Sequence, residues 1–365
     1  MRQRHSDYMH WAKTRSHAPF NLATSGVGPF PLAGLPAQPA LEINGGGGYG
    51  YAPLLNAIAG KCGVDPACVV CAAGTSMANH LAMAALVDPG DEVLIEHPAY
   101  ELLVSAALYF GADVKRFARS EESGYALDPA QVRRALTRRT KLIVVTNLHN
   151  PSSVLAPDSV LREIGDLARS VGAHVLVDEV YLDAVYENTP RTSFRLGPEF
   201  IVTNSLTKVY GLSGLRCGWA LAQPDLARAM WRLNDLFGVV PAHPAELLSV
   251  AAFEHLDLIR ERARRVVEAD RALLAAFLHG QTGVTAARTT FGTTAFLRLG
   301  EGDVEALLDR LRADYETTAV PGRFFEMPGH FRIGMGVNTE MFGEGLRRLG
   351  LALAGQPRLR ALRTE

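Results

Sequence analysis

Phe200-Ile-Val-Thr-Asn-Ser205-Leu-Thr-Lys208-Val-Tyr-Gly-Leu-Ser-Gly-Leu-Arg216-Cys-Gly218-Trp-Ala-Leu221 is the stretch on which the reading of this chain turns. An apolar run of strand length ends at Ser205. Lys208 follows, then a glycine-punctuated loop, then Arg216. A lysine amine forms Schiff bases with aldehydes. A hydroxyl and a guanidinium beside it can hold a phosphate, because arginine presents several donors in a fixed fork. The pattern asks for an aldehyde that carries a phosphate. A surface lysine and arginine flanking a turn would look the same in isolation, and the rest of the chain separates the two.

Working outward, Ala173-His-Val-Leu-Val-Asp178-Glu179 reads as a buried strand ending in carboxylates, with Tyr181 just beyond. Pyridoxal 5'-phosphate (PLP) is a phosphorylated aldehyde whose pyridine nitrogen needs an acidic partner. A carboxylate there keeps the nitrogen protonated, so the ring can accept electrons from a carbanion. A phenol can hydrogen-bond the ring oxygen O3'. Lys141-Leu-Ile-Val-Val-Thr146 is another apolar strand and leads to Asn150-Pro151, where an asparagine amide can donate to O3' as well. Ala67-Cys-Val-Val-Cys-Ala-Ala73 predicts a further strand, leading through Gly74-Thr75-Ser76 into a helix over Met77–Val87. Backbone N–H groups at a helix start suit a phosphate, and glycine lets the chain approach it closely. Glu92-Val-Leu-Ile-Glu96 predicts a fifth strand, and Tyr100 after it can stack on a flat ring. Taken singly, Asp178 reads equally as an N-cap or a buried ion-pair member, and Asn150 as part of an ordinary Asn-Pro turn. Together, five strand ends each deliver polar or aromatic groups, and open α/β sheets bind ligands at the carboxyl ends of their strands.

These residues resemble the class I/II aminotransferase family of fold-type I PLP enzymes. The resemblance runs from about Phe20 to Gly334 and rests on Asn150-Pro151, Asp178-Glu-Val-Tyr181, Ser205-x-x-Lys208, Gly214-Leu-Arg216-Cys-Gly218 and Phe331-Arg332-Ile-Gly334. It implies an α/β fold with a large, doubly wound, mostly parallel sheet domain and a smaller α+β domain. It implies Lys208 as the aldimine lysine and proton shuttle, with Asp178 on the pyridine nitrogen and Tyr181 and Asn150 on O3'. Ser205, Arg216 and the Gly74-Thr75-Ser76 turn would hold the phosphate, and Tyr100 would stack on the ring. Arg332 would grip the substrate's α-carboxylate as a bidentate pair. Gly26, in Thr24-Ser25-Gly26-Val27-Gly28-Pro29, would offer it a backbone N–H. The Gly45-Gly-Gly-Gly48-Tyr49-Gly50-Tyr51 stretch resembles the segment that sends a tyrosine to a partner subunit's phosphate; Tyr49 is the candidate for that role and Tyr51 the alternative. One departure is plain: the family's Asn-Pro-Thr-Gly is here Asn150-Pro151-Ser152-Ser153, so the turn loses its glycine.

The implied activity is a PLP-dependent aminotransferase moving an amino group between an α-amino acid and a 2-oxo acid by a ping-pong mechanism, in a cytoplasmic homodimer. Another PLP-dependent chemistry on the same scaffold stays open (a β-lyase, decarboxylase, racemase or specialised biosynthetic enzyme), because the lysine and its partners do not decide which Cα bond breaks. An aminotransferase-like sensor module inside a regulator is a third reading; the residues before Phe20 are too few for a helix-turn-helix domain.

The 365 residues, 48% of them hydrophobic, suffice for a large core plus a second lobe. A net charge of 37 − 38 = −1 gives no broad electrostatic case for nucleic acid or an anionic membrane. There is no apolar run of transmembrane length and no signal-peptide core at the start. Four cysteines (Cys62, Cys68, Cys71, Cys217) fit a reducing compartment. Cys68-Val-Val-Cys71 is formally C-x-x-C, but in a strand residues three apart face opposite ways, and no metal site is expected. His149 reads as a pocket-wall or turn residue, and Arg323 as either a second anion contact or a surface loop residue. The expected organisation is an N-terminal arm with part of the small domain over 1–40 and the PLP-binding domain over 41–240. An interdomain helix and the C-terminal small domain would fill 241–365. One long helix is expected from Pro244 to His279, with the arginines in 260–265 and at 271 mainly on its solvated side. The basic tail from Gln356 reads as a frayed end.

Overall fold

The computed structural model describes residues 3–355 except positions 38 and 288. The basic tail from Gln356 lies outside the described residues. In chain order the strands are β1 (Phe20–Asn21), β2 (Val69–Ala73), β3 (Glu92–His97), β4 (Asp113–Ala118), β5 (Thr140–Thr146), β6 (His174–Asp178), β7 (Phe200–Ser205) and β8 (Cys217–Leu221). They continue with β9 (Val284–Ala286), β10 (Thr294–Leu299), β11 (Thr317–Thr318), β12 (Val320–Pro321) and β13 (His330–Gly334). Unbroken apolar runs make the central strands. Val93–Ile95, Leu142–Val145, Val175–Val177 and Phe200–Val202 are all at most 1% exposed. Strands buried on both faces read as continuous rather than alternating, and each such side chain contributes about 1.5–3 kcal/mol on leaving water.

Seven strands form one doubly wound sheet in the order β2-β8-β7-β6-β5-β3-β4. Strands β4, β3, β5, β6 and β7 are mutually parallel. Strand β8 is antiparallel to both of its neighbours, β2 and β7. Because β8 runs backwards, the residue that enters it, Arg216, arrives at the same sheet edge as the residues that leave β2, β3, β5, β6 and β7. Topology alone thus brings the motifs of six strands to one edge.

A second sheet, β12-β13-β10-β9, is antiparallel throughout. It has its own apolar core, with Leu297, Leu311, Phe331, Ile333 and Leu349 in its interior. Strand β1 pairs in parallel with β11, so the beginning of the chain is bonded into this lobe.

Three expectations need correction. The helix expected from Pro244 to His279 is two helices, His243–Glu254 and Leu256–His279, broken where His255 leaves helical geometry at φ −127°, ψ 24°. No glycine or proline marks that break, so the apolar spacing runs through it. The arginines of the second helix do not all face solvent. Arg260 donates to the carbonyl of Tyr186 and to Thr189. Arg262 donates to Pro29 O at 3.1 Å, and Arg271 to Gly292 O at 2.7 Å. Each ties a loop to the helix while its stem stays half-buried. Finally, Cys68 ends a 3-10 turn capped by Asp65, before β2 begins at Val69, and the next helix starts at Thr75 rather than Met77. All four cysteines are free thiols. Among the described residues no helix is long and apolar enough to cross a membrane.

Candidate active site

A cavity of about 330 Å³ opens at the shared strand edge. Its walls include Thr75, Ser76, Tyr100, Asn150, Asp178, Tyr181, Ser205, Lys208 and Arg216. These are nine of the residues singled out in the sequence, drawn from positions 75 to 216 and delivered by six strand ends.

Lys208 follows β7, and its Nζ donates to Ser25 Oγ at 2.9 Å, which ties it to the N-terminal segment on the far wall. Gly26 packs directly behind the lysine: a β-carbon there would lie 3.0 Å from Lys208 O and 3.2 Å from its Cδ. Val27 N also bonds Lys208 O at 2.8 Å.

At one end of the cavity β2 turns into the helix Thr75–Leu86 through Gly74, at φ 79°. Arg216 spans this turn, donating to Ala73 O at 2.9 Å. The approach demands two glycines. A β-carbon on Gly74 would sit 2.2 Å from Arg216 Nη2, and one on Gly218 would sit 2.5 Å from Gly74 Cα.

Asp178, at the end of β6, is 4% exposed. Burial pushes its carboxyl up to about 6, against hydrogen bonds from Asn79 and the Val180 N–H and the charge of Lys208. Asn79 is a site residue missed in the sequence. Its Nδ2 donates to Asp178 Oδ2 at 2.9 Å, and its Oδ1 accepts from Thr203 Oγ1 at 2.6 Å, which fixes the amide's orientation. A signal existed: Asn79 lies one helical turn beyond Thr75 and so on the same face.

Arg332, on β13 and 0% exposed, stands behind the wall formed by Tyr8, Ala23 and Asn150. Its Nη1 donates to Asn150 Oδ1 at 3.0 Å and its Nη2 to Tyr8 OH at 3.0 Å and Ala23 O at 3.4 Å. All three acceptors are neutral and belong to residues that line the cavity. Tyr8, on the N-terminal helix Asp7–Thr14, is the second missed residue. With Met9, Trp11 and Ala12 it roofs the cavity.

Beneath the site lies a buried ion pair, Arg119 Nη1 to Glu96 Oε2 at 2.8 Å. Glu96 Oε1 accepts from Thr146 N and Oγ1, and Thr146 Oγ1 accepts from Asn150 N, so the pair anchors the turn that carries Asn150. His149 is buried in the same turn. Its Nε2–H donates to Pro98 O at 2.9 Å and its Nδ1 accepts from Ser152 at 2.6 Å. Burial, with Arg119 nearby, holds it well below the ordinary histidine range, so it is neutral and structural.

Three candidates stand elsewhere. Tyr49 is 52% exposed, and its hydroxyl bonds Asp235 at 3.0 Å. Tyr51 packs edge-on against His243. Arg323 pairs with Glu305 and lies over the Phe324 ring, away from the cavity.

Residues 42–349 match the family Aminotransferase class I and II. The chain belongs to this family. Capreomycidine synthase of Streptomyces vinaceus is 31% identical over 87% of this chain and 83% of its own. A PLP-dependent aminotransferase from Streptococcus suis superposes with a TM-score of 0.92 at 25% identity, covering 98% of this chain and all of the other. The PLP-dependent cyclase OrfR superposes at 0.86 with 24% identity, over 97% and 98% of the two chains.

Class I and II aminotransferases use PLP, and this cavity suits it. Thr75 Oγ1 and Thr207 Oγ1 are buried in its wall without a hydrogen-bond partner among the described residues, at the end where Arg216, Ser76 and a helix start converge. That set is chemically a phosphate cradle. Asp178 is a buried carboxylate to which no cation among the described residues is bonded, which suits a pyridinium nitrogen. Among the described residues no group of three or more His, Cys, Asp or Glu side chains could hold a metal.

Proposed function

We propose that this chain is an aminotransferase moving an amino group between an α-amino acid and a 2-oxo acid by a ping-pong sequence. The observation that carries the reading is Arg332. It is a fully buried guanidinium with no carboxylate partner among the described residues, and its neutral acceptors line the cavity that holds Lys208 and Asp178. A buried, unpaired charge is costly, and the α-carboxylate of an amino acid supplies the missing anion.

In this reading Thr75, Ser76, Ser205 and Arg216 hold the cofactor's phosphate, with Gly74 giving the backbone its close approach. Asp178, steadied by Asn79, keeps a proton on the pyridine nitrogen. Tyr181 and Asn150 bond O3', and Tyr100 covers the ring. When bound, the cofactor supplies an aldehyde for amines and a ring that accepts electrons. Lys208 Nζ takes the proton from the substrate's Cα, and Ser25, to which the free amine donates at 2.9 Å, keeps that amine within the cavity. Arg332, steadied by Asn150, aligns the carboxylate, and the roof formed by the N-terminal helix limits water.

The similarity to capreomycidine synthase favours a second reading, a specialised biosynthetic enzyme on the same scaffold. One experiment separates the two. The cofactor-loaded protein is incubated with a panel of amino acids, with and without 2-oxo acids, and products are identified by mass. Transamination yields a 2-oxo acid from the donor and a new amino acid from the acceptor. A cyclised, decarboxylated or racemised product with no amino transfer overturns it. Borohydride reduction should place a pyridoxyl group on Lys208, and Lys208→Ala should abolish both that label and turnover. Label on another lysine of folded protein would count against the whole assignment.

A further inference from the structure

Tyr8 belongs to none of the motifs that outline the site, yet it touches the part of it that meets substrate. It is 8% exposed. Its ring stands edge-on to Tyr100 at 5.6 Å between centroids and to Phe324 at 5.5 Å, which fixes the direction of its hydroxyl. That hydroxyl accepts from Arg332 Nη2 at 3.0 Å. A phenol that accepts through its oxygen still carries a proton to give, and among the described residues no acceptor takes it. Arg332 Nε is likewise buried with no partner among the described residues. Two free donors therefore stand on neighbouring groups beside the cavity, with no anion between them. Buried polar groups left this way are unfavourable, and one carboxylate would satisfy both. The electrostatics agree. Burial raises the phenol's pKa, but the charges of Arg332 and Lys208 outweigh it and bring the phenol below its usual range, which strengthens its O–H as a donor.

We propose that Tyr8 is a second α-carboxylate-binding residue, its hydroxyl donating to the carboxylate that Arg332 also holds. This rests on the reading of Arg332 as the carboxylate anchor. No rearrangement is needed, because the phenol oxygen goes on accepting from Arg332 while its proton turns to the substrate. The N-terminal helix thus takes part in recognising the substrate as well as covering it.

The test compares the unaltered, cofactor-loaded enzyme with Tyr8→Phe and Arg332→Ala. Three quantities are measured: kcat and KM for the best amino acid of the panel, the same for the amine that lacks its carboxylate, and the Kd of propionate by calorimetry. Phenylalanine keeps the ring and its packing, and cofactor content and melting temperature check that the fold is retained. In Tyr8→Phe the amino-acid KM and the propionate Kd should each rise roughly ten- to a hundredfold, the loss of one hydrogen bond to a charged group. The amino-acid kcat should stay within about threefold and the constants for the amine should not move. The proposal is overturned if Arg332→Ala weakens both propionate and the amino acid while Tyr8→Phe leaves them unchanged. It is equally overturned if Tyr8→Phe lowers kcat at constant KM, since the phenol would then act on the chemistry. If Arg332→Ala itself changes neither constant, the α-amino-acid reading falls, and the role of Tyr8 with it.

Discussion

Asp178 and Glu179 are adjacent carboxyls that burial pushes up, to about 6 and about 7. Both values lie above those of an unfolded chain, near 4. The native state therefore keeps protons that the unfolded state releases. The stability these groups contribute is complete below about pH 4 and is lost as pH rises through about 6 for Asp178 and about 7 for Glu179. For Asp178 the span corresponds to roughly 3 kcal/mol. The cofactor-free protein carrying Asp178→Asn should gain stability over the unaltered one as pH rises from 4 to 7, seen as a widening gap in urea midpoint. Parallel curves would show that the carboxylate is not destabilised by its surroundings. The residues that the large sheet brings to the cavity were legible because each carries its own chemistry at a strand end. Those that act through another group were not. Asn79 has no chemistry until Asp178 is placed beside it, and Tyr8 meets Arg332 across a sequence separation of 324.

At the scale of an element, the turn Asn150–Ser153 shows how a sequence departs from a pattern and keeps the geometry. Ser153, where the family carries glycine, still adopts φ 62°. Its Oγ donates to Thr294 O at 2.8 Å, which ties the turn of the large sheet to β10 of the small one. A left-handed conformation costs a non-glycine residue about 1–2 kcal/mol, and the hydrogen bond returns about 1 kcal/mol. Ser153→Gly should therefore change stability little, whereas Ser153→Ala keeps the strain and loses the bond. We expect alanine to be the less stable by about 1 kcal/mol in chemical denaturation. Equal stabilities would mean that the surroundings impose no strain at this position. The strands of the large sheet were readable from continuous apolar runs. The break at His255 was not, because the helices on either side keep the same apolar spacing across it.

For the whole molecule, the change of pattern after position 240 suggested two lobes, and the two largest of the four apolar clusters among the described residues pack one on the large sheet and one on the small. The helix Asp7–Thr14 was not expected, and nothing in its own residues states that it will wall the cavity. One face remains strongly apolar. Ile43 is 85% exposed, Leu236 76%, Val239 61% and Phe237 51%. Tyr49, bonded to Asp235, links the segment around Ile43 to the loop that carries the others. We expect this face to join two copies. Light scattering should give twice the 39.5 kDa of one chain, and Leu236→Glu with Phe237→Glu should halve it. A monomeric unaltered protein would leave Tyr49 without a partner site to reach.

The pairing of β1 with β11 also sets an order of events during synthesis. Phe20 waits for Thr317 to be made, and at typical ribosomal speeds that interval is on the order of 15 to 60 s. Within that time the nascent chain can complete the large sheet, which ends at Leu221, with the lysine and the phosphate cradle in place before β11 exists to pair with β1. A young chain is thus able to meet its cofactor through an uncovered doorway, and the doorway closes when the last strands emerge and draw the beginning of the polypeptide home.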